Sequence, residues 1–236
     1  MELGLKQVAE TFGVSEIKII KWINNENLPA DLVADQYRFH RADLIEWAAI
    51  HGHPFSPSIY AQGNGDLTAA GTHLTEALEA GGVLENVDGS DLRTILDTAL
   101  AGLPLPPTMG HDALLDLFLS RESLGSTAPG GGIAIPHPRE PTLLAVPGAV
   151  MRLCYLSKPL DMSAPDGIPV DKLFLIICPT AHEHLQLLAR LGALLQVNDV
   201  REALRNKFTG DALFSVLREA GRNFHEPATV TDEASV

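Results

Sequence analysis

The chain is poor in cysteine, and it contains no long apolar run. Cys154 and Cys178 are the only cysteines among 236 residues, and each lies in an apolar, strand-like segment. We expect both to be reduced core residues, with no disulfide and no metal or other cofactor site. No segment reaches the roughly 18 apolar residues of a membrane helix, and the first residues lack the features of a secretory signal. We therefore expect a cytoplasmic protein without a membrane partner.

Basic residues are also scarce. The chain has 17 Lys and Arg against 30 Asp and Glu, a formal net charge of −13. Such a surplus of negative charge argues against broad attraction to nucleic acid or anionic lipid, and favours a basic or neutral partner surface. The length suits one large domain, or a domain of about 150 residues with a small one.

The apolar pattern divides the chain into four parts. Residues 1–52 predict a small helical domain, and 53–66, rich in Pro, Ser, Gly and Asn, predict a linker. Residues 67–222 predict an α/β domain, and 223–236 a disordered acidic tail. Within the α/β part, helical spacing occurs at 72–80, 91–101, 111–120, 181–196 and 210–219, and strand-like runs at 132–135, 150–156 and 173–178.

The first part predicts two helices around a turn, then a hairpin and a third helix. The turn lies at Gly13, Ser15 can cap the second helix, the hairpin spans about 33–39, and the last helix follows Arg41. This order, with the phrase Leu-Lys-Gln-Val-Ala-x-x-Phe-Gly-Val-Ser, resembles the winged helix-turn-helix domains of the excisionase and MerR type. The resemblance implies DNA binding.

The charge of this part of the chain argues against strong DNA binding. Residues 1–52 carry five Lys and Arg against eight Asp and Glu, a net charge of −3, whereas DNA affinity comes largely from neutralised phosphates. Four basic residues lie on the predicted recognition helix and on or beside the wing: Lys18, Lys21, Arg38 and Arg41. Specific DNA binding by a dimer and a role in protein contact both stay open.

One stretch, from Arg121 to Arg139, concentrates the chemistry. An arginine, the hydroxyls of Ser126 and Thr127, and three successive glycines precede a short apolar strand that ends at His137, between two prolines. Three glycines in a row are costly unless a loop turns sharply or its N–H groups surround an anion. A histidine with such restricted approach is a plausible nucleophile.

This stretch, Arg-Glu-x-x-Gly-Ser-Thr followed by Gly-Ile-Ala-Ile-Pro-His, resembles the active-site signature of enzyme IIA domains of the phosphotransferase system, of the fructose/mannitol and nitrogen-regulatory type. Three further blocks agree in order: Leu74–Leu84, Ala164–Val170 and Pro179–Leu185. The resemblance covers about 67–222 and implies a mixed β-sheet flanked by helices, the mannitol-type IIA fold. It also implies phosphorylation of His137 by an HPr-type phosphocarrier, supported by Arg121 sixteen positions earlier.

The last block carries the second histidine of the resemblance, His184. Thr180 and Glu183 predict the start of a helix, which places His184 in its first turn. There the helix dipole favours a neutral imidazole, which can hydrogen-bond a phosphoryl group or orient His137. We expect Ser126 and Thr127 either to bind phosphate or to cap the loop. The neighbouring His182 is expected to be exposed.

The interpretation is a regulatory phosphotransferase, a phosphoryl-accepting IIA-like protein. We see no sugar-binding pocket, membrane segment or IIB segment, so bulk sugar transport is the less favoured reading. The alternatives are a transcriptional regulator whose IIA domain senses phosphorylation, a sugar-transport IIA component, or a scaffold without transfer. One departure concerns the loop: many family members carry asparagine between the last two glycines before Ile-Ala-Ile, where this chain has Gly130-Gly131-Gly132. A homodimer stays open.

Overall fold

The computed structural model describes residues 2–26, 28–33, 35–51, 53, 70–106, 109–138 and 146–223. The N-terminal part contains six elements: β1 (Glu2–Gly4), α1 (Leu5–Phe12), α2 (Glu16–Asn25), β2 (Asp31–Val33), β3 (Gln36–His40) and α3 (Arg41–His51). The strands form a small antiparallel sheet in the order β1-β3-β2. This is a helix-turn-helix followed by a wing, as the sequence predicts.

Local signals account for the turn between α1 and α2. Gly13 adopts the left-handed conformation, with φ 63°, that ends α1. The Ser15 hydroxyl then accepts the Lys18 N–H and caps α2. Aromatic rings fill the core behind the turn: Phe12, Trp22 and Trp47 meet with centroids 5.3–6.2 Å apart. His53 stacks on both tryptophans, so it packs with this domain.

The second part is a three-layer α/β domain. Its elements are α4 (Ala70–Gly81), β4 (Val83–Val87), α5 (Leu92–Leu100), α6 (His111–Glu122), β5 (Ile133–Ala134), β6 (Val150–Leu160), β7 (Val170–Ile177), α7 (Ala181–Leu194), α8 (Asn198–Arg205) and α9 (Gly210–Asn223). The sheet has the order β4-β6-β7-β5. The central pair is antiparallel, and both outer strands run parallel to their neighbours. The predicted mixed sheet flanked by helices is confirmed.

Alternating side chains along the central strands feed two apolar layers. Met151 and Leu153 of β6 pack in one cluster with α4, α7, α8 and α9. Val150 and Cys154 pack in the other, with α5 and α6. Because successive residues of a strand face opposite sides, both faces of this sheet are covered by helices. The side chains of β7 alternate between the two clusters in the same way.

Buried Arg152 connects the helix ends to the sheet. Within the described part of the chain its guanidinium has no acidic hydrogen-bond partner. It donates to the carbonyls of Gly81, Ala99, Ala101 and Gly102, at 2.6–3.4 Å. These carbonyls lie at or just beyond the C-terminal ends of α4 and α5, where the helix dipole is negative. One cation therefore satisfies four acceptors that helix termination leaves unpaired.

Most elements were predicted from the sequence, but three were not. These are β1, the half-exposed β4, and the charged α8, whose apolar stripe is Val200, Ala203 and Leu204. Most of the predicted linker 53–66 and nearly all of the predicted tail 223–236 lie outside the described residues. Across the described ranges, no helix combines the length and apolar character needed to cross a membrane.

Replacing Arg152 with methionine should lower the free energy of unfolding by about 3 kcal/mol, because it leaves buried carbonyls unsatisfied. Urea denaturation followed by circular dichroism measures this change. Arg218→Met is the matched control, since Arg218 is exposed and forms an ion pair with exposed Glu79; its effect should stay below about 1 kcal/mol. Equal effects of the two substitutions would contradict the role given to Arg152.

Candidate active site

His137 lies just beyond β5, at the carboxyl edge of the parallel pair β5 and β7. The backbone of its segment continues the sheet, because Ile176 N–H donates to the Pro136 carbonyl at 3.2 Å. The ring is 1% exposed. Its Nδ1 lies 2.7 Å from the Ile135 carbonyl, which can only accept, so Nδ1 carries the proton. In the neutral ring, the lone pair is therefore on Nε2.

The glycine run before β5 is a sharp turn. Gly130, Gly131 and Gly132 all have positive φ, of 110°, 64° and 75°, a conformation that favours glycine. The Gly131 N–H donates to the carboxylate of Asp166 at 2.7 Å, and a Cβ on Gly130 would lie 2.7 Å from the same carboxylate. Of the two roles open from sequence, the structure supports the turn, since Asp166 already takes the Gly131 N–H.

His184 lies in the first turn of α7, as predicted. The Glu183 N–H donates to the Thr180 hydroxyl at 3.1 Å, which caps the helix. The rings of His184 and His137 are 4.7 Å apart, centroid to centroid. Burial, helped by the neighbouring His137 and by the cation of Arg121, lowers the pKa of His184 to about 3, although Glu46 opposes the shift. His184 is therefore neutral, and its buried Nδ1 has no hydrogen-bond partner.

Arg121 occupies the last turn of α6. Its Nη1 donates to the Gly125 carbonyl at 3.1 Å, which orients the guanidinium from the start of the following loop. Only 12% of its side chain is exposed. The three residues that the sequence singles out as catalytic, Arg121, His137 and His184, come together at one place, although they come from α6, the end of β5 and α7.

A fourth residue completes this group, and it comes from the N-terminal domain. The carboxylate of Glu46, in α3, accepts from Arg121 Nε at 3.0 Å and from Nη2 in a close contact. The same oxygen, Oε1, lies 3.3 Å from His137 Nε2. This second contact is one of charge and proximity, because Nε2 has no well-aligned hydrogen-bond partner. Glu46 was not predicted from the sequence.

The electrostatics of Glu46 show what kind of group this position accepts. Burial raises the pKa of Glu46, but its contacts with His137 and the positive charge of Arg121 outweigh burial and lower the pKa to about 2. The carboxylate is consequently ionised at any ordinary pH. A position that holds an anion between a guanidinium and an imidazole also suits the oxygens of a phosphoryl group.

Ser126 and Thr127 hold the loop between α6 and β5. The Thr127 hydroxyl and N–H both donate to the Glu122 carboxylate, at 2.6 and 3.0 Å, and Thr127 is fully buried. The Ser126 hydroxyl donates to the Met162 carbonyl and accepts the Ala128 N–H. These contacts support the loop-capping alternative; phosphate binding by the two hydroxyls stays a prediction.

The remaining predicted residues lie apart from this site. Lys18 and Lys21 are exposed on α2, and half-buried Arg38 bonds to Gln36 on β3. His182 is exposed, as expected. The side chain of Arg41 and the whole of Arg139 lie outside the described residues. Within the described ranges, no three His, Cys, Asp or Glu side chains form a group that could hold a metal ion.

Family comparisons agree with this geometry. A family described as "Phosphoenolpyruvate-dependent sugar phosphotransferase system, EIIA 2" matches residues 100–220, slightly more than half of the chain. A second, described as "Helix-turn-helix domain", matches residues 2–49. The two matches correspond to the two parts of the fold described above.

Individual proteins are similar over the second part. The nitrogen regulatory protein of Pseudomonas aeruginosa is 37% identical over 148 residues, which are 61% of this chain and 94% of that protein. The fructose-specific EIIA component of the phosphotransferase system of Haloferax volcanii is 30% identical over 154 residues, covering 56% of this chain and 98% of that protein.

Solved structures show the same fold. The nitrogen regulatory protein IIA-Ntr of Neisseria meningitidis is 29% identical, with a TM-score of 0.50 over 57% of this chain and 91% of that one. A IIA protein of Streptococcus mutans, at 19% identity and a TM-score of 0.50, agrees in fold alone. The matched family, the relatives and the site geometry together show that this chain belongs to the EIIA 2 family of the phosphoenolpyruvate-dependent sugar phosphotransferase system, and that it carries a helix-turn-helix domain in front.

Proposed function

We propose that this protein is a regulatory IIA-type phosphoryl acceptor, phosphorylated on His137 Nε2 by an HPr-type phosphocarrier. The observation that carries the proposal is the hydrogen bond that orients the His137 ring. Its Nδ1 proton is held by the Ile135 carbonyl, which leaves the Nε2 lone pair for attack, beside a guanidinium and a neutral second imidazole. A neutral, oriented imidazole is the form that acts as a nucleophile.

Each side chain then has a part in the transfer. The P–N bond of the carrier's phosphohistidine breaks as the bond from phosphorus to Nε2 forms, and the electron pair returns to the carrier's imidazole. Arg121 neutralises charge on the phosphoryl oxygens. The ring centroids of His184 and His137 are 4.7 Å apart, and His184 Nδ1 has no hydrogen-bond partner. His184 therefore supplies a hydrogen bond to the phosphoryl group or fixes the orientation of the His137 ring.

The regulatory reading rests on the relatives and on the extra domain. Several similar proteins are named nitrogen regulatory proteins, and a helix-turn-helix domain precedes the IIA fold. Regulation of nitrogen metabolism in the cytoplasm is therefore the setting we propose. Sugar transport remains the competing role, and it would require onward transfer of the phosphoryl group from His137 to a IIB domain.

His137→Ala should abolish phosphorylation. In a mixture of enzyme I, an HPr-type carrier and phosphoenolpyruvate, the wild type should gain an acid-labile phosphoryl group, which ³¹P NMR assigns to Nε2. The variant lacks the attacking nitrogen and should gain none. His182→Ala removes an exposed histidine of the same helix turn as His184 and should be labelled like the wild type. Label on the His137→Ala protein would contradict the proposal.

The neutral state of His184 gives a pH dependence of stability. Between pH 6.5 and about 3 the unfolded chain binds a proton at this position and the folded chain does not, so stability falls as the pH falls through that window. His184→Gln removes this contribution. The free energy of unfolding of this variant should fall less between pH 7 and 4 than that of the wild type, by about 3 kcal/mol.

Urea denaturation at several pH values measures the difference. The His182→Gln variant is the control, and its curve should run parallel to that of the wild type. If the His184→Gln curve is parallel as well, His184 is not the buried neutral ring on which the proposed role depends.

A transcriptional regulator that senses phosphorylation is the second candidate. The helix-turn-helix match favours it, as does the exposure of Lys18 and Lys21 on α2, the helix that would enter the major groove. Exposed Ile17 lies on the same helix and suits either a thymine methyl group or a protein surface. Residues 1–52 have a net charge of −3, so any DNA binding by this domain depends on its few basic side chains.

Lys21→Ala should weaken DNA binding and reduce its dependence on salt by about one unit of slope, because one phosphate contact is lost. Gel shifts with sheared genomic DNA over a series of salt concentrations measure this. Lys158→Ala removes an exposed lysine of β6, a strand of the other domain, and should change neither quantity. If neither the phosphorylated nor the unphosphorylated protein shows salt-sensitive DNA binding, the DNA-binding role is wrong and α2 is left with the protein-contact alternative.

A further inference from the structure

Glu46 lies on the side of α3 that faces away from its own domain. Leu44, Trp47 and Ala48 pack into the N-terminal core. Because successive helix residues are about 100° apart, Glu46 lies nearly opposite the centre of that stripe. A glutamate in this position ordinarily extends into solvent. Here its side chain is only 23% exposed.

The IIA domain accounts for this burial. Helix α3 packs along α7, the helix that carries His184. Ile45, also off the core stripe of α3, is 1% exposed. The surface between α3 and α7 is therefore a packed contact between the two domains, with an apolar side chain next to the carboxylate. Glu46 enters the site from this contact, 75 residues before Arg121 in the chain.

The position of the carboxylate is incompatible with a phosphoryl group on His137. Its oxygen Oε1 uses the Nε and Nη2 donors of Arg121, which a phosphoryl group would need. The same oxygen is 3.3 Å from Nε2, the only nitrogen of the ring left for phosphorylation, because Nδ1 is bonded to the Ile135 carbonyl. A phosphorus atom bonded to Nε2 and its three oxygens would meet a like-charged carboxylate at contact distance.

We propose that Glu46 is an internal stand-in for the phosphoryl group, and that the docked N-terminal domain and phosphohistidine at position 137 exclude each other. The proposal rests on the proposed function for its second half. Helix α3 must leave α7 before a phosphocarrier can reach Nε2, and the phosphorylated ring then keeps α3 away. The IIA site thus controls the position of the helix-turn-helix domain.

Docking of α3 does not control access to the predicted recognition helix, α2. Lys18 and Lys21 are exposed while α3 is docked, so docking does not cover the predicted recognition helix. What phosphorylation changes is the attachment of the domain to the IIA body. Attachment fixes how two recognition helices can be spaced in a pair of molecules, and release frees that spacing.

Glu46→Arg tests the contact in the full-length chain. It places a cation against Arg121 and should separate α3 from the site, while the fold of its own domain is kept because the residue faces away from that core. Glu46→Gln keeps the shape and removes the charge. Glu10→Arg and Glu10→Gln are the matched controls, since Glu10 is an exposed glutamate of α1 in the same domain. Fluorescence of Trp22 and Trp47 verifies folding.

The first measurement does not involve phosphorylation. Diethylpyrocarbonate modifies accessible imidazoles, and peptide mass spectrometry gives the rate at each histidine. In the wild type, His137 should be protected, while exposed His182 reacts and serves as the internal reference. In Glu46→Arg the rate at His137 should rise at least about fivefold, because reactivity scales with the fraction of open molecules. Glu46→Gln should give a smaller rise.

The second measurement is the rate of phosphoryl uptake from a phosphorylated HPr-type carrier. It should rise in Glu46→Arg by a similar factor, and stay at the wild-type value in both Glu10 variants. If Glu46→Arg matches Glu10→Arg in both measurements, the proposal is wrong. If the modification rate depends on Glu46 while no protein takes up a phosphoryl group, the docking contact stands and the proposed function fails.

Discussion

The site depends on a guanidinium that needs an anion. Arg121 is nearly buried at the end of α6, and a buried cation without a partner is costly. The backbone carbonyl of Gly125 offers only a dipole, so a full negative charge has to come from outside α6 and its loop. In the structure the anion is the carboxylate of Glu46. In the proposed cycle it is a phosphoryl group on His137, and the two anions alternate over one cation.

The contacts that hold the rest of the site are independent of which anion binds Arg121. Glu122 holds Thr127, Asp166 holds Gly131, and the Ile135 carbonyl holds the His137 ring, and none of these bonds involves Glu46. Removing α3 therefore exposes a site that is already assembled. A preorganised site of this kind does not need to reorganise its dipoles when charge arrives. In the proposed cycle, the contact that opens and closes is the one between α3 and α7.

Local signals in the sequence predicted the parts of the fold that depend on neighbouring residues. Ser15 and Thr180 cap helices where their spacing indicates, and the alternation in β6 and β7 follows from burial on both faces. Strand β4, with mixed exposure, gave no such signal, and the short, charged α8 offers only three apolar residues at helical spacing. Family resemblance brought Arg121, His137 and His184 together. The contacts of Glu46 and Asp166 were missed because their partners are 75 and 35 residues away, and no local pattern reports a contact between residues so far apart in the chain.

The docking contact has to be weak to be useful. If docking were worth about 4 kcal/mol, roughly one molecule in a thousand would be open, and a carrier would meet the site that much less often. A contact worth 1–2 kcal/mol leaves about one molecule in ten open, and an ion pair with one apolar neighbour is of this order when both charges regain water as α3 leaves. Coupling is reciprocal. Whatever binds the helix-turn-helix domain in its docked position must therefore oppose phosphorylation by the same factor by which phosphorylation opposes that binding.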